Sequence, residues 1–129
     1  MKRLIIDLDG TLTIDIKCSY EEKLPNLEVV EKIKQYKEAG FEIVIATARN
    51  MRTFEGNIGK INKITLPIVI EWLERHEIPF DEVIVGKPWC GFEGFYVDDK
   101  AIRPSEFVGG SYEDIVNMLE DEKNDWHKS

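Results

Sequence analysis

The sequence predicts an α/β fold in which a parallel, Rossmann-like sheet carries helices on both faces. Short β-branched runs alternate along the chain with segments whose apolar residues follow helical spacing. The runs are apolar in the manner of strands buried inside a parallel sheet. Because strand, helix and strand in that order form a parallel crossover unit, the carboxyl ends of the strands should meet at one edge of the sheet.

The first predicted strand begins at Leu4 and runs into two carboxylates, Asp7 and Asp9, which Gly10 and Thr11 follow. Side chains at positions i and i+2 share one face of a strand, so the two carboxylates can converge on one point. Close carboxylates repel each other when both are ionised, and a cation is the expected compensation. Hard oxygen ligands favour Mg²⁺, which leaves positions for phosphate oxygens and water. The alternative, two solvated aspartates at a strand end, is disfavoured by the apolar run before them and the Gly-Thr pair after them.

A flap, a helix and a second strand are expected next. Residues 13–17 alternate well enough to predict a short hairpin or flap within residues 13–25, over the strand end. Asn26 can cap a helix that Gly40 ends, and a β-branched run over residues 41–46 follows. This second strand leads into three residues: Thr47, Ala48 and Arg49.

Residues 50–64 show no clean period, and a loop of that length beside Thr47 favours a substrate loop. Thr65 is then expected to cap a helix that has Pro67 in its first turn and stops at Pro79.

Two short strands are predicted over residues 83–86 and 94–97, and the second ends in Asp98 and Asp99. The link between them contains Lys87 and is shorter than the dozen residues that a parallel crossover normally needs. Either the link runs extended along the sheet edge or the strand boundaries shift by a few residues. Ser111 opens a last helix through a capping-box-like sequence.

Composition predicts one domain over residues 1–129, with a charged tail that frays from about residue 120. A net charge of −8, from 25 acidic against 17 basic residues, argues against nucleic acid or an anionic membrane as a partner. The two cysteines match no ligand or redox spacing, which favours a reduced cytoplasmic setting. No signal peptide or membrane-spanning run is expected.

The predicted strand ends deliver an ordered set of acid, hydroxyl, cation and acid. This order resembles the haloacid dehalogenase-like superfamily of phosphatases, and the match covers most of the chain. The stretch Asp7-Leu8-Asp9-Gly10-Thr11 is similar to the first motif and is its most specific part. Thr47 fits the second motif, Lys87 the third and the pair Asp98-Asp99 the fourth. Residues 86–91 and 95–99 resemble a compact branch described as capsule-biosynthesis phosphatases.

The resemblance implies that Asp7 attacks phosphorus and becomes an aspartyl phosphate. Asp9 would protonate the leaving oxygen and later deprotonate the water. The implied ligands of Mg²⁺ are Asp7, Asp9 through its carbonyl, and Asp98, with Asp99 completing the inner or outer shell. The implied phosphate- or substrate-binding residues are Leu8, Thr47, Ala48, Arg49 and Lys87, of which Thr47 and Lys87 also stabilise the transition state.

Each of these residues also has a plainer interpretation. Thr47 alone is a strand-end hydroxyl and Lys87 alone a solvated lysine. Arg49 either grips a second anionic group on the substrate or pairs with a surface carboxylate. Family members usually place a helix between the third-motif lysine and the fourth strand, and that helix is missing or shortened here. No segment is long enough for a large cap domain, so loops or a neighbouring subunit should cover the site.

The function expected from the resemblance is a phosphomonoesterase that acts on a small phosphorylated metabolite, with sugar phosphates first and nucleotides second. Two alternatives stay open: a phosphotransferase such as a mutase, and a metal-binding module that has lost catalysis. A missing cap weakens the mutase, which must shield its phosphorylated intermediate from water. A two-component receiver domain does not fit, because it carries its phosphorylated aspartate on a later strand than its acidic pair. A homo-oligomer is also left open.

Overall fold

The structure is a computed structural model that describes residues 1–126. These residues form two compact units, an N-terminal unit over Met1–Trp89 and a C-terminal unit that begins at Cys90. The strands are β1 (Arg3–Asp7), β2 (Glu42–Thr47) and β3 (Glu82–Val85), all in the N-terminal unit. The helices are α1 (Leu27–Glu38), α2 (Ile58–Lys60), α3 (Leu66–Arg75), α4 (Pro104–Gly109) and α5 (Tyr112–Trp126).

The three strands form a parallel sheet in the order β1-β2-β3. Asp7 lies opposite Ala46, and Thr47 lies opposite Val85. The carboxyl ends of β1, β2 and β3 therefore meet at one edge, as the crossover pattern predicts. The α/β class and the parallel sheet are confirmed.

The buried core of the N-terminal unit is formed by the strands and by the apolar positions of α1 and α3. Ile43, Val44 and Ile45 of β2 are fully buried because β2 is the central strand. The helical residues that share this core are Val29, Val30, Ile33, Val69, Trp72 and Leu73. The helical spacing that predicts α1 and α3 corresponds to the faces that the structure buries, except that Leu27, the first position of that spacing in α1, is 72% exposed.

Helix α1 begins directly after Asn26, as predicted, although the Asn26 side chain makes no capping hydrogen bond. The Asn26 backbone N–H instead donates to the carbonyl of Leu12 at 2.7 Å, which ties the start of the helix to the turn after β1. Gly40, at φ 95°, follows the end of the helix in a conformation that other residues rarely adopt.

The prediction of an irregular loop through residue 64 is wrong for its second half. Helix α2 begins after Asn57, whose Oδ1 accepts the Lys60 backbone N–H at 3.2 Å, and a wide helical turn over Ile61–Thr65 joins α2 to α3. Ile61 and Thr65 are buried at positions one turn apart, and the polar residues between them obscure this period in the sequence. Thr65 is therefore not an N-cap; its hydroxyl donates to Asn50 Oδ1 at 2.6 Å.

The prediction of a fourth strand over residues 94–97 is also wrong for the chain as described. These residues belong to the C-terminal unit and have no strand conformation, and Phe95 and Val97 are 79% and 89% exposed. Two physical reasons oppose a strand here. The link from β3 is short for a parallel crossover, and Asp98 Oδ1 accepts the Lys100 backbone N–H at 2.8 Å, which favours a turn.

Helix α5 begins after Ser111, as the capping-box-like sequence predicts. Ser111 Oγ accepts the Asp114 backbone N–H at 3.1 Å, and the Ser111 N–H donates to Asp114 Oδ2 at 2.9 Å. The structure describes residues 120–126 as helical, and the rest of the predicted frayed tail, residues 127–129, lies outside the described residues. Within residues 1–126, no helix combines the length and apolar composition that crossing a membrane requires.

Asp81 joins α1 to the sheet and gives the fold a pH-dependent contribution. Its Oδ2 accepts the Ile43 backbone N–H at 2.8 Å, and Lys37 Nζ contacts both of its carboxylate oxygens. The Ile43 hydrogen bond first, and Lys37 second, hold the pKa of Asp81 below its usual value. The contribution to stability is therefore complete above the unfolded-state pKa and lost as pH falls through the lower, folded-state pKa.

Replacing Asp81 by asparagine is accordingly expected to lower Tm at pH 7, because the asparagine side chain cannot form the ion pair with Lys37. The difference in Tm from wild type should shrink as the pH is lowered from about 5 to about 3, since the wild-type carboxyl is then protonated. Melting curves across this range test the prediction, with Asp121→Asn on exposed α5 as the control. A constant difference at all pH values would contradict it.

Candidate active site

A tight turn over Leu8–Leu12 presents the two aspartates at the end of β1. Leu8 and Leu12 are fully buried and anchor the turn, and Gly10 adopts φ 80° between them. The Thr13 backbone N–H donates to the Leu8 carbonyl at 3.0 Å, and the Gly10 N–H donates to Thr13 Oγ1 at 3.1 Å. Gly10 thus turns the chain as its position in the sequence predicts.

Asp7 lies between a lysine and a hydroxyl. Its Oδ1 is 3.4 Å from Lys87 Nζ, and its Oδ2 accepts a hydrogen bond from Thr11 Oγ1 at 3.3 Å. About a third of the Asp7 side chain and a quarter of the Lys87 side chain are exposed. A pair this long and this exposed contributes at most about 1 kcal/mol to stability. The partial exposure also leaves the Asp7 carboxylate accessible.

The backbone after β3 brings Lys87 to Asp7. The Lys87 N–H donates to the Thr47 carbonyl at 3.2 Å, which ties the backbone of Lys87 to the end of β2. Gly86, at φ 83°, turns the chain just before Lys87, and a Cβ there would lie 2.6 Å from Ile58 Cδ1. The positive φ therefore favours glycine in the turn that directs Lys87 toward Asp7, whereas the exposed Ile58 side chain can move aside.

Thr47 ends β2 and Ala48 follows it, and Thr47 is the neighbour in sequence of Ala46, which lies opposite Asp7. Thr47 is 1% exposed, and its Oγ1 accepts the Arg49 backbone N–H at 3.1 Å. The Thr47 hydroxyl keeps its own hydrogen for donation to another oxygen. Ala48 is half-buried. The structure thus brings Asp7, Thr47 and Lys87 to one sheet edge, and their catalytic roles remain predictions.

Arg49 and Asp9 form the most regular contact of the site. Arg49 Nε donates to Asp9 Oδ2 at 3.0 Å, and one terminal nitrogen donates to Asp9 Oδ1 at 2.8 Å. The Arg49 side chain is only 1% exposed, whereas that of Asp9 is 34% exposed. The ring of Tyr20 covers the guanidinium, with 4.1 Å between the Arg49 Cζ and the ring centroid. Sequence reasoning missed Tyr20, because nothing in the flap sequence marks its ring as a neighbour of Arg49.

The flap over residues 13–25 closes on itself and on α3. Thr13 and Pro25 form an antiparallel bridge, and the Ile14 N–H donates to the Leu24 carbonyl at 2.9 Å. Tyr20 begins a short helical turn, and the Lys23 carbonyl that follows it accepts Trp72 Nε1–H at 2.7 Å.

Asp98 and Asp99 lie in the C-terminal unit, where both side chains are exposed. They line a pocket of about 270 Å³ within that unit, together with Glu106, Met118 and Glu122 among others. Among residues 1–126, no three His, Cys, Asp or Glu side chains lie close enough together to form a metal-binding group. The metal roles of Asp98 and Asp99 therefore remain predictions.

Comparisons with known proteins place the chain in a family. The family model of haloacid dehalogenase-like hydrolases matches residues 4–71, which span β1, the flap, β2 and most of α3. The crystal structure of an MCSG target from Vibrio cholerae is 58% identical, covers 95% of this chain and 100% of its own, and has a TM-score of 0.94. No curated protein matches the chain.

Two structures of Pnkp1/Rnl/Hen1 complexes, one described as an RNA repair complex, are also similar. They are 20% and 18% identical, with TM-scores of 0.49 and 0.48, and cover 84% and 94% of this chain but only 34% and 40% of their own. Likeness at this level carries no functional argument. The match over more than half of the chain and the neighbour at 58% identity are sufficient: this chain belongs to the haloacid dehalogenase-like hydrolases.

Proposed function

We propose that the chain is a magnesium-dependent phosphomonoesterase that acts through an aspartyl phosphate on a small phosphorylated metabolite. One observation carries this proposal. The Asp7 carboxylate lies accessible at the carboxyl end of β1, with Lys87 Nζ and Thr11 Oγ1 within 3.4 Å of its oxygens. Ligands of open α/β sheets bind at this edge of the strands.

The reaction takes two steps at Asp7. One Asp7 oxygen attacks phosphorus, the bond from phosphorus to the ester oxygen breaks, and Asp9 gives a proton to the leaving oxygen. In the second step Asp9 takes a proton from water, the hydroxide attacks phosphorus, and the bond from phosphorus to Asp7 breaks. Phosphate leaves, and both aspartates return to their starting forms.

Charge accumulates on the equatorial phosphoryl oxygens in both steps, so the site needs donors aimed at that position. Lys87 supplies a cation beside Asp7, and the Thr47 hydroxyl can donate from the neighbouring strand. The backbone N–H groups at Leu8 and Ala48 follow the two strand ends and are the remaining proposed donors. Together these groups bind the phosphate without contacting the rest of the ester.

The donor set suits Mg²⁺, which in phosphoryl-transfer sites often takes only one or two protein carboxylates. Asp7 offers an accessible carboxylate, while both oxygens of Asp9 accept from Arg49, so Asp9 would bind the metal through its carbonyl. When bound, Mg²⁺ would neutralise charge on the phosphoryl oxygens. Asp98 and Asp99 are the further proposed ligands.

The proposed substrates are small phosphomonoesters, with sugar phosphates first and nucleotides second. Residues 1–126 contain no large cap domain, so selectivity would come from the flap, from the segment after Arg49 and from a neighbouring subunit if the chain assembles. The net charge of −8 opposes binding of polyanionic nucleic acid. Cys18 and Cys90 are free thiols, which is compatible with the reduced cytoplasmic setting included in the proposal.

A panel of phosphorylated metabolites assayed with Mg²⁺ for released phosphate tests the proposal. Phosphate release from one class of small monoester, well above that from a panel of diesters, is the expected result. A mutase would instead move the phosphoryl group within or between substrates with little release. A module without catalysis would release none while still binding the metal.

Activity is also expected to require Mg²⁺, and the metal should raise Tm, because it binds the folded acidic site and not the unfolded chain. At a Mg²⁺ concentration 100 times the Kd, the gain in unfolding free energy is about 2.7 kcal/mol. Melting curves with Mg²⁺ and with chelator, recorded beside turnover, measure both effects. Asp7→Asn is the matched variant for the melting curves and should show a smaller rise in Tm. Full activity in chelator would contradict the metal assignment.

A further inference from the structure

We infer that Arg49 is a positioning residue that fixes the carboxylate of Asp9 for proton transfer, and that Tyr20 of the flap holds Arg49 in place. This inference rests on the proposed function, because it gives Asp9 the acid and base role. It assigns Arg49 a role that differs from the substrate-binding role predicted from the sequence.

The geometry of the Arg49–Asp9 contact restrains the carboxylate in both position and rotation. Two hydrogen bonds of 3.0 and 2.8 Å join Nε and one terminal nitrogen to the two different oxygens of Asp9. A single hydrogen bond would let the carboxylate rotate about the donor, whereas the planar guanidinium allows only one orientation. Each Asp9 oxygen retains a lone pair for a proton.

The burial of Arg49 argues against direct contact with a substrate. Its side chain is 1% exposed, and its second terminal nitrogen is buried with no hydrogen-bond acceptor in the described part of the chain. Asp9 is 34% exposed, so Asp9 faces the open side of the pair. A substrate therefore meets Asp9, while Arg49 acts on it through Asp9.

The backbone also fixes the base of the Arg49 side chain. The Arg49 N–H donates to Thr47 Oγ1 at 3.1 Å, and the next residue, Asn50, adopts φ 64°. This left-handed conformation is uncommon outside glycine, although asparagine is among the residues that tolerate it best. The end of β2 thus sets the position of the Arg49 guanidinium. The guanidinium in turn sets the orientation of the Asp9 carboxylate, which follows β1.

Tyr20 completes the arrangement from the other side. The guanidinium carbon is 4.1 Å from the Tyr20 ring centroid, within the range of a cation–π contact. The Glu21 and Lys23 carbonyls, close to Tyr20, accept hydrogen bonds from Arg75 and Trp72 of α3. The flap is therefore anchored to α3 next to the Tyr20 ring that covers Arg49. Through Arg49, the position of the flap affects Asp9.

A leaving-group series distinguishes positioning from substrate binding. The steady-state rates of wild type, Arg49→Lys, Arg49→Ala and Asp9→Asn are measured on aryl and alkyl phosphates that span good to poor leaving groups. Proton donation to the leaving oxygen belongs to the first step, and kcat/KM reports that step without the later hydrolysis of the aspartyl phosphate. In Arg49→Ala, kcat/KM should therefore fall by about 100-fold for poor leaving groups and by less than about fivefold for good ones. KM should not rise.

Asp9→Asn should reproduce this pattern, and the double variant Asp9→Asn/Arg49→Ala should lose no further activity, because Arg49 acts only through Asp9. Arg49→Lys keeps the charge and loses the paired geometry, so it should fall between wild type and Arg49→Ala. Tyr20→Ala should shift the leaving-group dependence in the same direction, and Tyr20→Phe, which keeps the ring, should not. Arg3→Ala, which removes an exposed arginine paired to Glu42 and Glu82, is the control.

Circular dichroism establishes that each variant is folded, and Tyr20→Ala and Arg49→Lys keep the test valid if Arg49→Ala does not fold. A tenfold rise in KM with an unchanged leaving-group dependence would overturn the inference in favour of substrate binding by Arg49. Independent, additive losses from Arg49→Ala and Asp9→Asn would overturn it as well. A wild-type protein inactive on every phosphate would remove the proposed function and the inference together, whereas an active wild type with either overturning result removes the inference alone.

Discussion

Replacing Asp7 by asparagine is expected to lower phosphate release at least about a thousandfold, because the variant has no carboxylate to form the aspartyl phosphate. The fold should survive the change. The Asp7 side chain is about a third exposed and its contact with Lys87 is long, so the lost ion pair costs at most about 1 kcal/mol. Asparagine also keeps the size of the side chain and an oxygen that can accept from Thr11.

Turnover of a good substrate, measured beside a urea titration of the same preparation, separates loss of chemistry from loss of fold. Asp121→Asn makes the same change on exposed α5 and should keep wild-type turnover. If Asp7→Asn retains a substantial fraction of wild-type turnover, Asp7 is not the nucleophile. If it loses activity and unfolds at much lower urea, Asp7 has a structural role that its exposure does not indicate.

Local sequence patterns were sufficient to predict the elements that position Asp7. Burial is visible directly in the apolar runs of β1 and β2 and in the helical spacing of α1. A helix buries one face, and a strand inside a parallel sheet is buried on both faces. The handedness of the crossover then places Asp7 and Thr47 at one edge with no further information. Gly10 was predictable because only glycine adopts such a turn without strain.

Contacts between distant residues were not predictable in the same way. The Arg49–Asp9 pair joins residues 40 positions apart, and sequence alone left Arg49 divided between an anionic substrate group and a surface carboxylate. The structure gives a third answer, a carboxylate of the site itself, because burial of the guanidinium depends on the tertiary fold. The prediction of a strand over residues 94–97 was wrong for a related reason. A high β-propensity stabilises a strand only where another strand lies beside it to pair with, and propensity alone does not show whether such a partner is present.

Replacing Asp9 by asparagine is expected to destabilise the protein more than replacing Asp7, although both changes remove one carboxylate. The Arg49 guanidinium is almost fully buried, and Asp9 is its carboxylate partner in the described structure. Removing one partner of a buried pair leaves the other charge uncompensated, which costs several kcal/mol when both groups are fully buried. Because Asp9 is a third exposed and water can approach it, the expected loss is about 2 kcal/mol.

The double variant Asp9→Asn/Arg49→Met identifies the cause of that loss. Methionine fills much of the buried volume without a charge, and replacing both partners of such a pair is often close to neutral. Urea titrations at pH 7 compare wild type, Asp7→Asn, Asp9→Asn and the double variant. The double variant should recover most of the stability that Asp9→Asn loses. Its turnover on poor leaving groups should not recover. Equal stability of Asp7→Asn and Asp9→Asn would mean that Asp9 does not compensate the buried guanidinium. A double variant less stable than Asp9→Asn would mean that the unpaired guanidinium does not destabilise Asp9→Asn. Arg49 would then stabilise the fold through its packing under Tyr20 and its backbone contacts.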